Sequence, residues 1–136
     1  MVGPLGWAAS TLNDMAQLQR TVTQDDTALA VGSGDVEVLG TPVVVAWLEA
    51  ATCAALELAE GETSVGTEVC VRHLAPSVVG AVVTATAEVT ERAGRVVTFS
   101  VHATDGDTRV AEGTITRAVV DRTRFLDRLP PPDSTV

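Results

Sequence analysis

One long, almost entirely apolar helix near the middle of the chain constrains its fold more than any other feature. Thr41-Pro42 opens this helix, because Thr is a favourable N-cap and Pro is favoured at the first helical position. Over residues 42–56 the polar side chains are Glu49 and one threonine. A surface helix carries a polar stripe, so the predicted helix, about residues 42–60, must be covered on nearly all sides.

Strand-like segments rich in Val and Thr follow the helix. They are separated by short turn sequences, among which Asp105-Gly106 is a strong hairpin signal. Because hairpin-length connections make neighbouring strands antiparallel, the chain is predicted to be an α+β protein with one antiparallel sheet wrapped around one long buried helix. The predicted strands span about residues 64–74, 79–91, 95–104 and 108–120.

The two ends of the chain set the predicted domain boundaries. Residues 1–15 show no clear period, and residues 130–136 form a proline-rich tail that cannot continue a helix. We therefore expect an irregular N-terminal segment, one folded domain over residues 16–129, and the tail. Shorter elements are predicted inside the domain: a strand at 17–24, an extended piece at 27–31, and a helix at 122–129.

The charge of the chain restricts its partners. Eighteen acidic residues against nine basic ones give a net charge of −9, and all nine basic residues are arginine. Such a chain, with 3% aromatic residues, is a poor binder of nucleic acid, and an anionic ligand would need a local arginine or backbone N–H groups.

No apolar run reaches the ~18 residues of a membrane helix. The first basic residue is Arg20, so we expect no secretory signal, a cytoplasmic location, and no membrane partner.

The cysteines indicate neither a metal centre nor a disulfide. Cys53 and Cys70 are isolated among apolar neighbours and form no metal-ligand set. We expect both to be reduced and packed as small hydrophobic side chains, and we expect no metal.

Glu49 is the first candidate for chemistry. It shares a helix face with uncharged residues such as Val45 and Cys53. A carboxylate in such a place suits a general base or a nucleophile. A rotated helix, with Glu49 in water or paired with an arginine, remains an alternative.

His73 is the second candidate. Alternation along its strand places Thr67, Val69, Val71 and His73 on the face toward the helix, whereas His102 falls on the polar face of its strand and is expected to be exposed to solvent. An inward histidine can be a hydrogen-bonded core residue. Its pairing with Glu49 favours a catalytic role.

Two smaller signals lie near these residues. The Thr41 hydroxyl sits at a helix N-terminus, where the dipole favours an anion, although it can equally be a simple N-cap. Thr41 precedes Glu49 by about two turns, so both can border one groove. In Ser64-Val65-Gly66-Thr67 the glycine allows backbone to approach a ligand.

Together these residues resemble the fluoroacetyl-CoA thioesterase-like family of hotdog-fold proteins. The resemblance covers about residues 17–125, and the combined spacing of a threonine, a glutamate and a histidine is fairly specific. The matching segments are Thr41 with the helix that carries Glu49, residues 61–67, residues 69–76 with Gly80, and residues 113–120.

The resemblance implies sheets joined edge to edge in a homodimer, with acyl-CoA sites at the interface and tetramers left open. It implies that Glu49 attacks the thioester carbonyl or activates water, that Thr41 orients the reacting groups, and that His73 transfers protons. Gly66 would offer a backbone N–H near the acyl group, and Arg117 would contact a CoA phosphate. The implied substrate is an acyl-CoA or acyl-carrier-protein thioester, with no cofactor, since CoA belongs to the substrate.

The loop before the helix departs from this family. Residues 32–40 contain none of the aromatic side chains with which fluoroacetyl-selective members close the acyl pocket, so we expect a different short or medium acyl group. A non-catalytic hotdog module that binds an acyl or aromatic ligand is the main alternative. A hotdog hydratase ranks last, because such enzymes place Asp five residues before His, where this chain has Glu68 and Val97.

Overall fold

The computed structural model describes residues 14–132, and in it five strands form one antiparallel sheet around one long helix. The strand order is β1-β3-β4-β5-β2. The strands are β1 Met15–Thr21, β2 Glu62–His73, β3 Val82–Ala93, β4 Val96–Asp105 and β5 Thr108–Asp121. The helices are a 3-10 turn at Gln24–Asp26, α1 Ala28–Val31, α2 Thr41–Ala55 and α3 Arg122–Asp127.

The predicted α+β class, the central helix and the four strands that follow it are all present. The predicted strand order was wrong in one place: residues 74–81 form no hairpin, so β2 pairs with β5 rather than with β3, and only β3, β4 and β5 form a meander. The predictions for residues 1–13 and 133–136 lie outside the described residues. No helix within 14–132 combines the length and the apolarity needed to cross a membrane.

Two local predictions were wrong. The extended piece at 27–31 is instead α1, because the Thr27 hydroxyl accepts a hydrogen bond from Ala30 N at 3.1 Å and Gly32, at φ 80, closes the turn in the left-handed region. Helix α2 ends at Ala55 rather than near residue 60, because the backbone of Leu56 is already extended.

The core lies between one face of α2 and the concave face of the sheet. The predicted inward face of β4 is confirmed, since alternate residues from Val97 to Ala103 are at most 1% exposed. Each fully buried Val, Leu or Phe contributes about 1.5–3 kcal/mol of transfer free energy. The helix contributes Val44, Leu48, Ala51 and Ala55 to this core, and β4 contributes Val97, Phe99, Val101 and Ala103.

The opposite face of α2 is uncovered. Ala46 and Cys53 are exposed and Glu49 is half-buried, so the expectation of cover on nearly all sides is wrong for the single chain. The sheet packs on only one side of the helix. Cys53 and Cys70 are free, as predicted, but exposed rather than packed, because one lies on this face and the other on β2.

Strand β2 is an edge with an irregular register. It pairs with β5 on one side, and no other described strand pairs with it. A β-bulge at Thr67 separates the pair Gly66 with Arg117 from the pair Glu68 with Thr116. The bulge reverses the alternation, so Thr67 leaves the inward face on which it was predicted, while Gly66 and His73 come to share that face.

Candidate active site

The first residue of α2 binds the last residue of β2. Thr41 Oγ1 lies 2.7 Å from His73 Nδ1, which ties the start of the helix to the end of the strand. Gly40 occupies the N-cap position, and no side chain caps the helix there. The prediction that Thr41 is the N-cap was therefore wrong, and its hydroxyl is engaged with the histidine instead.

His73 points toward the helix, as predicted, and its ring is held mainly in the neutral form. Burial lowers the pKa of His73 below its ordinary 6.5, an effect that the backbone of Ala75 opposes. Its Nε2 is buried and has no hydrogen-bond partner among the described residues. A neutral imidazole bonded to a hydroxyl is suited to proton transfer near pH 7.

His102, the histidine predicted to be solvent-exposed, is half-buried instead. It lies on the outer face of β4 opposite Thr86 and Glu112. Burial lowers its pKa too, which the charge of Arg109 reinforces and the charges of Glu112 and Glu88 oppose. It lies on the face of the sheet opposite the helix and takes no part in the site.

A cavity of about 340 Å³ opens beside Thr41 and His73. Most of its wall is aliphatic and comes from the segment before α2 and the segment after β2. Among residues 14–132, the only aromatic ring in its wall is the imidazole of His73. The lining residues before the helix are Ala28, Ser33, Gly34, Val36, Val38 and Leu39, and those after the strand are Leu74, Ala75 and Pro76.

Glu49 lies in a second cluster, with Arg117. Its Oε2 is 3.5 Å from Arg117 Nη1, and the side chains are 36% and 9% exposed respectively. Arg117 also donates from Nε to Ser64 Oγ at 2.9 Å and from Nη2 to the Ser64 carbonyl at 3.3 Å. The guanidinium is thus fixed on three sides, which suits holding the Glu49 carboxylate.

Gly66 makes room for this carboxylate. A Cβ at Gly66 would lie 2.7 Å from Glu49 Oε2 and 3.4 Å from Arg117 Nη1. The absence of a side chain therefore lets the carboxylate lie directly against the backbone of β2.

The two clusters do not meet within one chain. Gly66 and His73 are separated by roughly 20 Å of extended strand, a distance that the side chains of Glu49 and His73 do not span. No hydrogen bond or ion pair in the described part of the chain joins the Thr41–His73 pair to the Glu49–Arg117 pair.

Sequence reasoning missed the role of Ser64, and it predicted a different role for Arg117. The available signal was the register of β2 and β5, which places Gly66 opposite Arg117 and Ser64 one step farther along the same face. Arg117, expected to contact a CoA phosphate, is buried in the single chain and pairs with Glu49.

The chain is similar to known thioesterases. A family model described as fluoroacetyl-CoA-specific thioesterase matches residues 22–123. The fluoroacetyl-CoA thioesterase of Streptantibioticus cattleyicolor is 38% identical over 91 residues, which is 65% of this chain and, at 66%, just under two thirds of that protein.

Solved structures share the fold. A mutant of the fluoroacetyl-CoA-specific thioesterase, in complex with fluoroacetate and CoA, superposes with a TM-score of 0.78 at 30% identity, over 83% of this chain and 97% of that one. A hot-dog-like protein from Thermanaerovibrio acidaminovorans superposes with a TM-score of 0.76 at 28% identity, over 88% of this chain and 93% of that one. The antiparallel sheet around α2 is therefore a hotdog fold.

Proposed function

Because this chain belongs to the fluoroacetyl-CoA-specific thioesterase family, we propose that it hydrolyses the thioester of a short or medium acyl-CoA to the free acid and CoA. The observation that carries this proposal is the Glu49 carboxylate, seated on Gly66 and held by Arg117 at an open sheet edge. The Thr41–His73 pair beside an aliphatic cavity supports it.

The proposed active form is a homodimer joined through β2. The free edge of β2 offers unpaired N–H and C=O groups over 12 residues, and Val69, in its middle, is 42% exposed. The neighbouring face of α2, with Ala46 and Cys53, is uncovered as well. Pairing with a second copy covers both surfaces at once.

Such a dimer completes the site. Two copies of β2 related by a twofold axis run antiparallel, so the Gly66 end of one strand lies beside the His73 end of the other. An axis perpendicular to the sheet keeps both α2 helices on the same face. Glu49 of one protomer then approaches the partner subunit's His73, which no contact within one chain achieves.

In the proposed reaction Glu49 acts on the thioester carbonyl in one of two ways. As a nucleophile, its carboxylate adds to the carbonyl carbon, the C–S bond breaks, and water then hydrolyses the mixed anhydride. As a base, it takes a proton from water while the hydroxide adds to the carbonyl. In both cases the CoA thiolate leaves and takes up a proton that the attacking water loses, and we assign the relay of this proton to the Thr41–His73 pair.

The cavity supports an aliphatic acyl group. Residues 32–40, predicted to lack an aromatic closure, contribute aliphatic side chains such as Val36 and Leu39 to its wall. A wall of this kind favours short or branched alkyl chains by burial of apolar area. We therefore do not expect selectivity for fluoroacetyl-CoA.

Thioester hydrolysis across short, branched and aromatic acyl-CoAs tests the proposal. Turnover is expected, and Glu49→Ala and His73→Ala are each expected to reduce it at least ~10²-fold, the scale of acid–base and nucleophilic contributions. Glu57→Ala and His102→Ala, outside the site, are the matched controls. Ligand-dependent thermal stabilisation without hydrolysis would instead identify a non-catalytic binding module.

A further inference from the structure

Three arginines surround a second cavity, at the end of the sheet. This cavity, about 210 Å³, is lined by Arg95, Arg124 and Arg128, together with Phe125 and Val119. The chain holds nine positive side chains against eighteen negative ones, so this grouping is a local exception to an acidic surface. We call it the arginine pocket.

The arginines reach the pocket from two directions. Arg95 precedes β4 and donates from Nη1 to the Val119 carbonyl at 3.1 Å. Arg124 and Arg128 are four residues apart at the end of the chain's last helix, so they project on the same side of α3. Like charges at this spacing repel each other, and an anion between the two guanidinium groups would offset this repulsion.

The carboxylates near the pocket form an ion pair with only one of the three arginines. Glu62 pairs with Arg95 at 3.5 Å, and the Asp121 carboxylate, which also lines the pocket, caps α3 by accepting from Arg124 N at 2.8 Å. Within residues 14–132, neither Arg124 nor Arg128 has a carboxylate within ion-pairing distance of its guanidinium.

The pocket lies close to the proposed active site. Val119, in its wall, is two residues along β5 from Arg117, about 7 Å of strand, and on the same inward face. A ligand with its reactive group at Glu49 and a phosphorylated end farther along β5 would therefore extend toward the arginine pocket.

We propose that the arginine pocket binds the phosphorylated adenosine end of CoA, with the guanidinium groups on phosphate and Phe125 against the adenine. This inference rests on the proposed function. Arginine forks pair with phosphate oxygens, and an aromatic ring offers a stacking surface to a base.

Steady-state kinetics of two thioesters with the same acyl group, one on CoA and one on pantetheine, test the assignment. Arg124→Gln and Arg128→Gln are each expected to raise KM for acyl-CoA about tenfold, with kcat unchanged and with no effect on the pantetheine thioester. Adenosine 3′,5′-bisphosphate is expected to bind the wild type, and the double variant is expected to lose this binding. Arg20→Gln, an exposed arginine on β1, is the control.

Several results would overturn the assignment. These are an unchanged KM for acyl-CoA, an equal rise for the pantetheine thioester, or inorganic phosphate competing as well as the bisphosphate does. A loss confined to acyl-carrier-protein substrates would also overturn it and would identify a protein docking site. If the wild type hydrolyses no thioester yet binds the bisphosphate through these arginines, the proposed function fails and the pocket assignment stands.

Discussion

The two ends of β2 hold complementary halves of one site. At the His73 end, a neutral imidazole and the Thr41 hydroxyl border an aliphatic cavity. At the Gly66 end, a carboxylate is held by Arg117. The first end has a place for an acyl chain, and the second has the only carboxylate in the described part of the site.

This difference shows why one chain is insufficient for the proposed chemistry. A carboxylate that acts on a carbonyl must lie close to it, and a misplacement of about 1 Å can cost 10²-fold in rate. Glu49 lies two helical turns, about 12 Å, from Thr41 at the cavity that would hold the acyl group, and its seat at Gly66 is roughly 20 Å of strand from His73. An antiparallel pairing of two β2 strands brings the unlike ends together, and the predictions below test that pairing.

The largest expected effect is complementation between two inactive variants. Glu49→Ala and His73→Ala each retain about 1% of activity or less. Random exchange of their protomers makes half of the dimers mixed, and each mixed dimer holds one site with both Glu49 and His73. Activity of an equal mixture is therefore expected to rise to about a quarter of the wild-type value.

An activity assay of the equal mixture measures this rise. Co-expression of the two variants with different affinity tags isolates the mixed dimer, which should reach about half of the wild-type value because one of its two sites is intact. A mixture of Glu49→Ala with Glu49→Gln is the control, because no exchange of protomers restores the carboxylate. If the mixed dimer stays as inactive as its parents, Glu49 and His73 do not act across the interface.

A smaller effect is expected from Gly66→Ala at the carboxylate end. The new Cβ would lie 2.7 Å from Glu49 Oε2, so the carboxylate must move. We expect kcat to fall about tenfold, while KM stays within twofold because the cavity at the other end is untouched.

The φ angle of Gly66 is outside the left-handed region, so alanine there introduces no backbone strain and the melting temperature should stay close to that of the wild type. Thr67→Ala, at the adjoining bulge, is the matched control and should retain full activity. Full activity of Gly66→Ala would show that the seat of Glu49 on the backbone is unimportant.

The smallest effect concerns stability at the histidine end. Because burial lowers the pKa of His73 below 6.5, the unfolded chain binds more protons than the folded one between the two values. Its contribution to stability is therefore complete above pH 6.5 and is lost as pH falls through the folded pKa. His73→Gln should reduce the dependence of the unfolding free energy on pH between about 7 and 5.5.

Urea denaturation at several pH values measures this slope. The pKa of His102 is also lowered, so His102→Gln should reduce the slope independently and the double variant should show both changes. A His73→Gln slope equal to that of the wild type would show that His73 is not buried in its neutral form.

The sequence predicted the local elements well, because their signals lie within a few neighbouring residues. The start of α2 to within one residue, the turn at Asp105-Gly106 and the inward face of β4 all follow from residue type and period. The family resemblance could be found in the sequence because Glu49 and His73 are polar residues within largely apolar segments.

The two-residue alternation of side chains did not predict correctly which residues of β2 face the helix. A bulge adds one residue, and no local pattern around Thr67 announces it, yet it decides which side chains share a face. Strict alternation would put Gly66 and His73 on opposite faces of the sheet. Their common face is a property of the pairing with β5.

By itself, then, the sequence determined the helix, the strands and the residue types that can do chemistry, because these depend on contacts close along the chain. Only the tertiary structure decided that Thr41 pairs with His73 rather than capping its helix, and that Arg117, itself bonded to Ser64, holds Glu49. These contacts join residues 32 to 68 positions apart, so they depend on strand register and on where the helix crosses the sheet. The uncovered face of α2 shows the same dependence, since its apolar residues were predicted to be buried and one chain alone does not bury them.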